Sequence, residues 1–205
     1  MPNTRRQDLS TDTPDLSTVR TLPELLAFRA ATTPAAEAYR AFDPGTNRWE
    51  SLNWAQTRDL VTRWSDALAV SHLPAGARVA ILLPNGLAAM SADQATLALG
   101  GVPVPLHAID NPGSIAYILA DCEASLLIVE QRTQWERIRD VGTALPALQG
   151  VVVAHLEPDT PAAPNCEPPV TSLADWLAAG RSDAPRPSAP TENDLAAIVY
   201  TSGTT

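Results

Sequence analysis

The sequence predicts an α/β fold, a mostly parallel sheet with flanking helices, and three observations carry that prediction. Apolar runs of strand length recur at Val79–Leu83, Val102–Leu106, Leu126–Val129 and Val151–Ala154. The stretches between them show helical spacing of apolar residues. Each gap is long enough for a crossover helix, the connection that successive parallel strands require. With 205 residues and 45% hydrophobic side chains, the chain can fill one or two ordinary cores.

Taken in order, residues 1–20 are polar, rich in Thr and Asp, and expected to be disordered. Thr21-Leu22-Pro23-Glu24 has the form of a capping box, which opens a short helix with Leu22, Leu25 and Leu26 directed inward. Ala38–Phe42 and Trp49–Leu52 flank the turn-forming Asp43-Pro44-Gly45-Thr46-Asn47 and read as a hairpin. Asn53, with Gln56 in the return position, caps a second helix whose apolar stripe is Leu60, Val61, Trp64 and Leu68. A tryptophan in such a stripe is more often core than a ligand-stacking ring.

Next come a buried strand at Val79–Leu83, a helix at Leu87–Leu99 and a strand at Val102–Leu106. Pro103 and Pro105 alternate in that last strand. Proline cannot donate to a ladder, so the strand is expected at an edge or in an irregular position. A helix near Ser114–Ala120, a strand at Leu126–Val129, a helix near Gln134–Val141 and a strand at Val151–Ala154 continue the alternation. Residues 156–190 hold Pro158, Pro161, Pro164, Pro168, Pro169, Pro185, Pro187 and Pro190, and read as a surface insert interrupted by a short helix around Leu173–Ala178. After it, Leu195–Tyr200 reads as a strand completing the same sheet.

Composition excludes several classes of function. The net charge of −9 argues against a general nucleic-acid surface, which needs clustered cations. No apolar run is long enough to cross a bilayer, and Met1–Arg6 lacks the apolar core of a signal peptide. All 14 basic residues are arginine. Cys122, at an expected helix end, and Cys166, in the Pro-rich insert, read as unpaired thiols of a reducing cytosol. His72, His107 and His155 have no ligand-spaced neighbours, so no metal site is expected within the chain. His107 stands apart because it follows a strand's carboxyl end, where open α/β sheets place their ligands.

The most informative stretch is the last. An apolar run ending Ile198-Val199-Tyr200 leads into Thr201-Ser202-Gly203-Thr204-Thr205, a hydroxyl- and glycine-rich turn with the composition of a phosphate-binding loop. Gly203 lets the backbone approach a phosphate oxygen without a Cβ clash, and the hydroxyls and N–H groups around it can donate. The G-x-x-x-x-G-K-[ST] spacing of a Walker A loop is absent. Plain turn chemistry after a strand is the alternative reading of these residues alone.

Tyr200-Thr201-Ser202-Gly203-Thr204-Thr205 is identical to the first six residues of the Y-T-S-G-T-T-G-x-P-K signature of the AMP-forming adenylating enzymes, which include acyl-CoA synthetases, peptide-synthetase adenylation domains and luciferases. Leu97-Ala98-Leu99-Gly100-Gly101-Val102-Pro103-Val104-Pro105-Leu106 resembles the family's second core motif, L-x-A-G-x-x-x-V-P. Trp49–Gln56 sits where such enzymes carry W-x-x-L-T-W-x-E. The resemblance runs from about Thr21 to Thr205. It implies that the chain is the N-terminal part of the large domain of an adenylate-forming enzyme, with residues 21–205 an incomplete AMP-binding domain carrying the insert at 156–190. At His107 the family tends to carry an aromatic, a departure from its pattern.

The chemistry implied by the resemblance is activation of a carboxylate. Attack on the α-phosphate of ATP gives acyl-AMP and expels pyrophosphate, and the thiol of coenzyme A then takes the acyl group and releases AMP. Charge develops on the departing pyrophosphate, so donors around its oxygens stabilise the transition state, with Mg2+ taking much of the charge. By resemblance, Thr201, Ser202, Gly203, Thr204 and Thr205 bind the nucleotide phosphates, while Tyr200 is a packing residue at the strand's end. The signature's lysine, the magnesium-binding glutamate and the mobile C-terminal domain are expected beyond Thr205, so no catalytic residue is assigned within the chain, and the chain alone is expected to be inactive.

Asp110–Leu119 followed by Leu126–Val129, together with Thr21–Trp54, looks most like long-chain fatty-acyl-CoA synthetases. The expected substrates are therefore a fatty acid, ATP and coenzyme A, in a cytoplasmic protein whose family allows peripheral membrane contact. The competing readings are a non-catalytic α/β module that binds or scaffolds, and an enzyme that adenylates an amino or aryl acid.

Overall fold

Thr21 caps the first helix as its sequence requires, although of the three leucines expected to face inward Leu26 packs against the core while Leu22 and Leu25 are exposed. The Thr21 hydroxyl accepts the Glu24 N–H at 3.3 Å while the Glu24 carboxylate accepts the Thr21 N–H at 3.0 Å, closing the box at the head of α1 (Leu22–Thr32). The computed structural model describes residues 15–43, 45–107, 109–156, 168–187 and 189–201; of residues 1–20, for which disorder is expected, residues 1–14 lie outside that range and residues 15–20 within it. An antiparallel hairpin follows, β1 (Glu37–Asp43) against β2 (Arg48–Asn53). Asn53 then caps α2 (Trp54–Ala69), accepting the Gln56 N–H at 2.8 Å and donating its own to the Gln56 side chain at 2.9 Å.

The remaining elements build the sheet: β3 (Arg78–Leu82), α3 (Leu87–Ala98), β4 (Val102–Pro105), α4 (Pro112–Asp121), β5 (Ala124–Gln131), α5 (Arg132–Arg139), β6 (Gly150–His155), β7 (Val170–Ser172) and α6 (Leu173–Ala178). The five strands β3 to β7 are parallel, in the order β4-β3-β5-β6-β7. The order reverses at β3, which puts the α3 crossover on the face opposite to α4 and α5 and opens a crevice at the carboxyl ends of the strands.

Both faces are buried, and the pleat sorts the side chains between them. Ala80, Leu82, Val104, Leu127, Val129, Val151 and Val153 meet Ile115, Leu119, Trp135 and Ile138 of α4 and α5. Val79, Ile81, Leu126, Ile128 and Val152 meet Val61, Trp64 and Leu68 of α2, Ala92 and Ala95 of α3, and Trp176 of α6. A parallel strand buried on both faces reads as a continuous apolar run, which is why the strands were visible as such. Trp64 is core, 2% exposed, with its ring 5.7 Å from that of Trp176 in an edge-to-face contact.

The edge position expected for the proline-bearing strand is observed: β4 ends the sheet. The Val102 N–H donates to Ala77 O and the Leu106 N–H to Ile81 O, both at 2.9 Å, so alternation turns residues 103 and 105 outward. The expectation of a further strand at Leu195–Tyr200 is corrected here. These residues form no strand; they run beside β4 and make one backbone bond to it, from the Ile198 N–H to Pro103 O at 3.1 Å. The return rungs would have to come from the N–H groups of residues 103 and 105, and proline has none.

The insert is more integrated than a surface excursion. Its helix α6 falls where the sequence placed it, but Val170–Ser172 was not read as a strand and pairs with β6. Trp176 reaches the core and donates its Nε1–H to Ser71 Oγ at 3.0 Å, and the Arg186 guanidinium bonds Asp66 of α2. The helix–strand junction α3–β4 is tight for a different reason. Gly100 adopts φ +67°, and a Cβ on Gly101 would lie 2.9 Å from Thr96 Cγ2 and 3.1 Å from Ala77 O. Gly101→Ala is therefore expected to lower stability by about 1–3 kcal/mol, read as a drop in urea midpoint at constant m-value.

Candidate functional site

The approach to the hydroxyl-rich loop is held at several points. Asp194 accepts from both the backbone N–H (2.7 Å) and the hydroxyl (3.0 Å) of Thr191, which turns the chain toward β4. Beyond it, Ile198 and Tyr200 face the core side and pack against the cluster beneath α4, while Val199 and Thr201 are exposed. The Tyr200 hydroxyl donates to Asp121 Oδ2 at 2.6 Å, across 79 residues of sequence. Burial first, and that hydrogen bond second, push the phenol well above the ordinary tyrosine range, so it stays protonated and able to donate at neutral pH.

Of the five residues assigned to phosphate binding, Thr201 is the one the structure describes. It is exposed at the end of the anchored segment, where its hydroxyl suits a donor to a phosphate. Ser202, Gly203, Thr204 and Thr205 lie outside the described residues. The sequence had given Tyr200 a packing role alone, and Asp121 none. No local pattern could have joined them, because the contact exists only once α4 and the edge segment are both in place.

A second region lies at the carboxyl ends of β3 and β4. There the hairpin β1–β2 and the first half of α3 enclose an open hollow of about 930 Å³. Tyr39, Phe42, Trp49 and Met90 give it an apolar, aromatic lining, and His107 stands at its rim as the strand-end position implied. Asp93 of α3 faces the same space. Burial raises its carboxyl above the ordinary aspartate value, against the lowering effect of a 3.2 Å hydrogen bond from Gln94 Nε2. The folded state thus holds this proton more tightly than the unfolded chain does, so the group's effect on stability is most unfavourable at neutral pH and fades as pH falls through its folded value. Asp93→Asn is expected to raise the melting temperature at pH 7, and the gain should vanish below about pH 3, where aspartate is protonated in both states. Melting curves of the two proteins across that range check the sign.

Cys122, at the end of α4, is buried, and burial raises its thiol above the usual cysteine value, the state of a structural rather than a reactive cysteine. Cys166 lies outside the described residues. Among the described residues, no cluster of three or more His, Cys, Asp or Glu could hold a metal ion, and no helix is long and apolar enough to cross a membrane.

The described residues form a parallel α/β domain with a tight, glycine-bearing α3–β4 junction and a segment running along the β4 edge. Residues 26–205 match the family described as AMP-binding enzyme, and the chain belongs to it. Among its relatives is the long-chain-fatty-acid–CoA ligase ACSBG1 of Homo sapiens, 27% identical over 169 residues that cover 78% of this chain and 22% of that protein. The fold is shared with a solved Mycobacterium tuberculosis fatty acyl CoA synthetase (TM-score 0.71, 24% identity, 92% of this chain and 34% of that one). It is shared equally with the anthranilate CoA ligase AuaEII in complex with anthranoyl-AMP (TM-score 0.71, 21% identity, 94% and 35%). The chain thus spans about a fifth to a third of the length of these proteins.

Proposed function

We propose that the protein carrying this chain is a long-chain fatty-acid–CoA ligase, which activates a fatty acid with ATP and Mg2+ to acyl-AMP and transfers the acyl group to coenzyme A. The observation that carries the reading is the Thr201–Thr205 loop at the end of a segment fixed to the sheet edge, in a chain of the AMP-binding family. In this reading the chain's own contribution is to place donors. Thr201, Ser202, Thr204 and Thr205 donate to the phosphates and Gly203 allows their close approach, where charge develops on the leaving pyrophosphate, and the sheet edge fixes the segment that leads to Thr201. Residues 21–205 form the first part of the AMP-binding domain, and the protein works in the cytoplasm with peripheral contact to the membranes that supply its acyl substrate.

An aryl acid is the second reading, favoured by the equal fold similarity to the anthranilate ligase. The test is pyrophosphate release by the complete protein with panels of fatty, aryl and amino acids. Release that requires both Mg2+ and a long-chain fatty acid supports the proposal. Release driven as well by an aryl or amino acid moves the protein to another branch of the family, and no acid-dependent release with any panel leaves a binding module.

A further inference from the structure

The loop proposed to receive the phosphates is only as well placed as the segment leading into it, and among the described residues that segment makes no backbone ladder with β4. One N–H bond, from Ile198 to Pro103 O, fixes it to β4. The side-chain bond from the Tyr200 hydroxyl to Asp121 Oδ2, at 2.6 Å, lies one residue before Thr201. Asp121 is itself firmly set. It is the last residue of α4, whose final turn packs Ile118 and Leu119 into the core, and the chain then turns through Glu123 at φ +51° directly into the buried start of β5. A bond from such a point to a neutral hydroxyl is charge-assisted and directional.

We infer that Asp121 is a positioning residue for nucleotide binding, acting through Tyr200 to fix the entry of the Thr201–Thr205 loop. In this role Asp121 acts through its bond to Tyr200 rather than as a ligand of the nucleotide. It replaces, with one side-chain bond, the ladder rungs that Pro103 and Pro105 remove, and it holds the loop's first hydroxyl at a constant place relative to the sheet. The inference rests on the ligase reading for the identity of the ligand, but not for the existence of the latch.

The test uses the complete natural protein that carries this chain, with variants Tyr200→Phe, Asp121→Ala, Asp121→Asn and the double Tyr200→Phe/Asp121→Ala. Amide hydrogen exchange reports the latch without any reaction. Faster exchange in residues 195–205 of Tyr200→Phe and Asp121→Ala, with residues 79–83 unchanged, is expected, and unchanged exchange in 195–205 overturns the inference. Affinity for ATP with Mg2+, by calorimetry, reports its consequence. Loss of one charge-assisted bond should weaken binding roughly tenfold. The double variant should be no worse than either single one, because both remove the same bond, and Asp121→Asn, whose amide oxygen can still accept, should recover most of the affinity. Losses that add in the double variant, or an Asp121→Asn variant as weak as Asp121→Ala, overturn it. If the unaltered protein binds no ATP, the ligase reading fails, and the latch is judged on exchange alone.

Discussion

Replacing Trp64 by alanine is expected to cost about 3–5 kcal/mol, the range for deleting a large aromatic from a packed core. The indole is 2% exposed, lies in the stripe of α2 that faces β3 and β5, and meets the Trp176 ring edge-to-face at 5.7 Å. The far side of the space is lined by Trp176, which is itself held by its bond to Ser71 just past the end of α2. A domain stable by about 5–15 kcal/mol would lose a large share of that margin. Urea titration followed by far-ultraviolet circular dichroism gives the number. A loss under about 1 kcal/mol would mean that α2 and α6 meet loosely and that the insert is not part of the core. Trp176→Phe is the companion: it keeps an aromatic ring but leaves the Ser71 hydroxyl without its donor, and should cost noticeably less than Trp64→Ala.

The second large effect falls on activity rather than stability. In the ligase proposed above, Thr201→Ala or Thr204→Ala should lower the adenylation rate by about ten-squared to ten-cubed, the usual loss for one preorganised donor to developing charge. Thr201 is exposed in the structure, so its replacement should leave the melting temperature nearly unchanged. Gly203→Val should be more severe, since a β-branched side chain resists the backbone freedom of glycine and fills the approach to the phosphate. Rates set against melting temperatures for all three variants separate the alternatives. Activity that falls only in step with stability would make the loop structural and would remove the phosphate role.

The sequence carried the parts of the fold that depend on short-range rules. Thr21 with Glu24 and Asn53 with Gln56 announce their helices because a cap is chemistry within four residues. Val79–Leu83 announces a buried strand because both of its faces are apolar, and Pro103 and Pro105 announce an edge because they lack donors. What escaped depends on register. The strand β7 has three residues, too few to show a period, and exists because β6 offers it a partner. Leu195–Tyr200 has the composition of a strand, but whether it becomes one depends on which atoms the neighbouring edge presents. The hollow around Asp93 draws its walls from β1, β2, α3 and the ends of β3 and β4, with no pattern to link them. Of the loop, the signature named all five residues in advance, and the structure describes Thr201.

The two prolines of β4 also bear on the order in which the chain is made. A protein emerging N-terminus first completes β4 long before Ile198 is synthesised, and at about 5–20 residues per second that interval lasts several seconds or more. Throughout it, the outer edge of β4 is the open margin of a nascent sheet, the kind of margin on which a neighbouring nascent chain could grow an intermolecular strand. With no N–H groups at residues 103 and 105, that margin accepts hydrogen bonds but returns none, so a stray strand cannot zip onto it. The same absence that leaves the loop's approach held by a single backbone bond keeps its berth vacant until the right segment arrives.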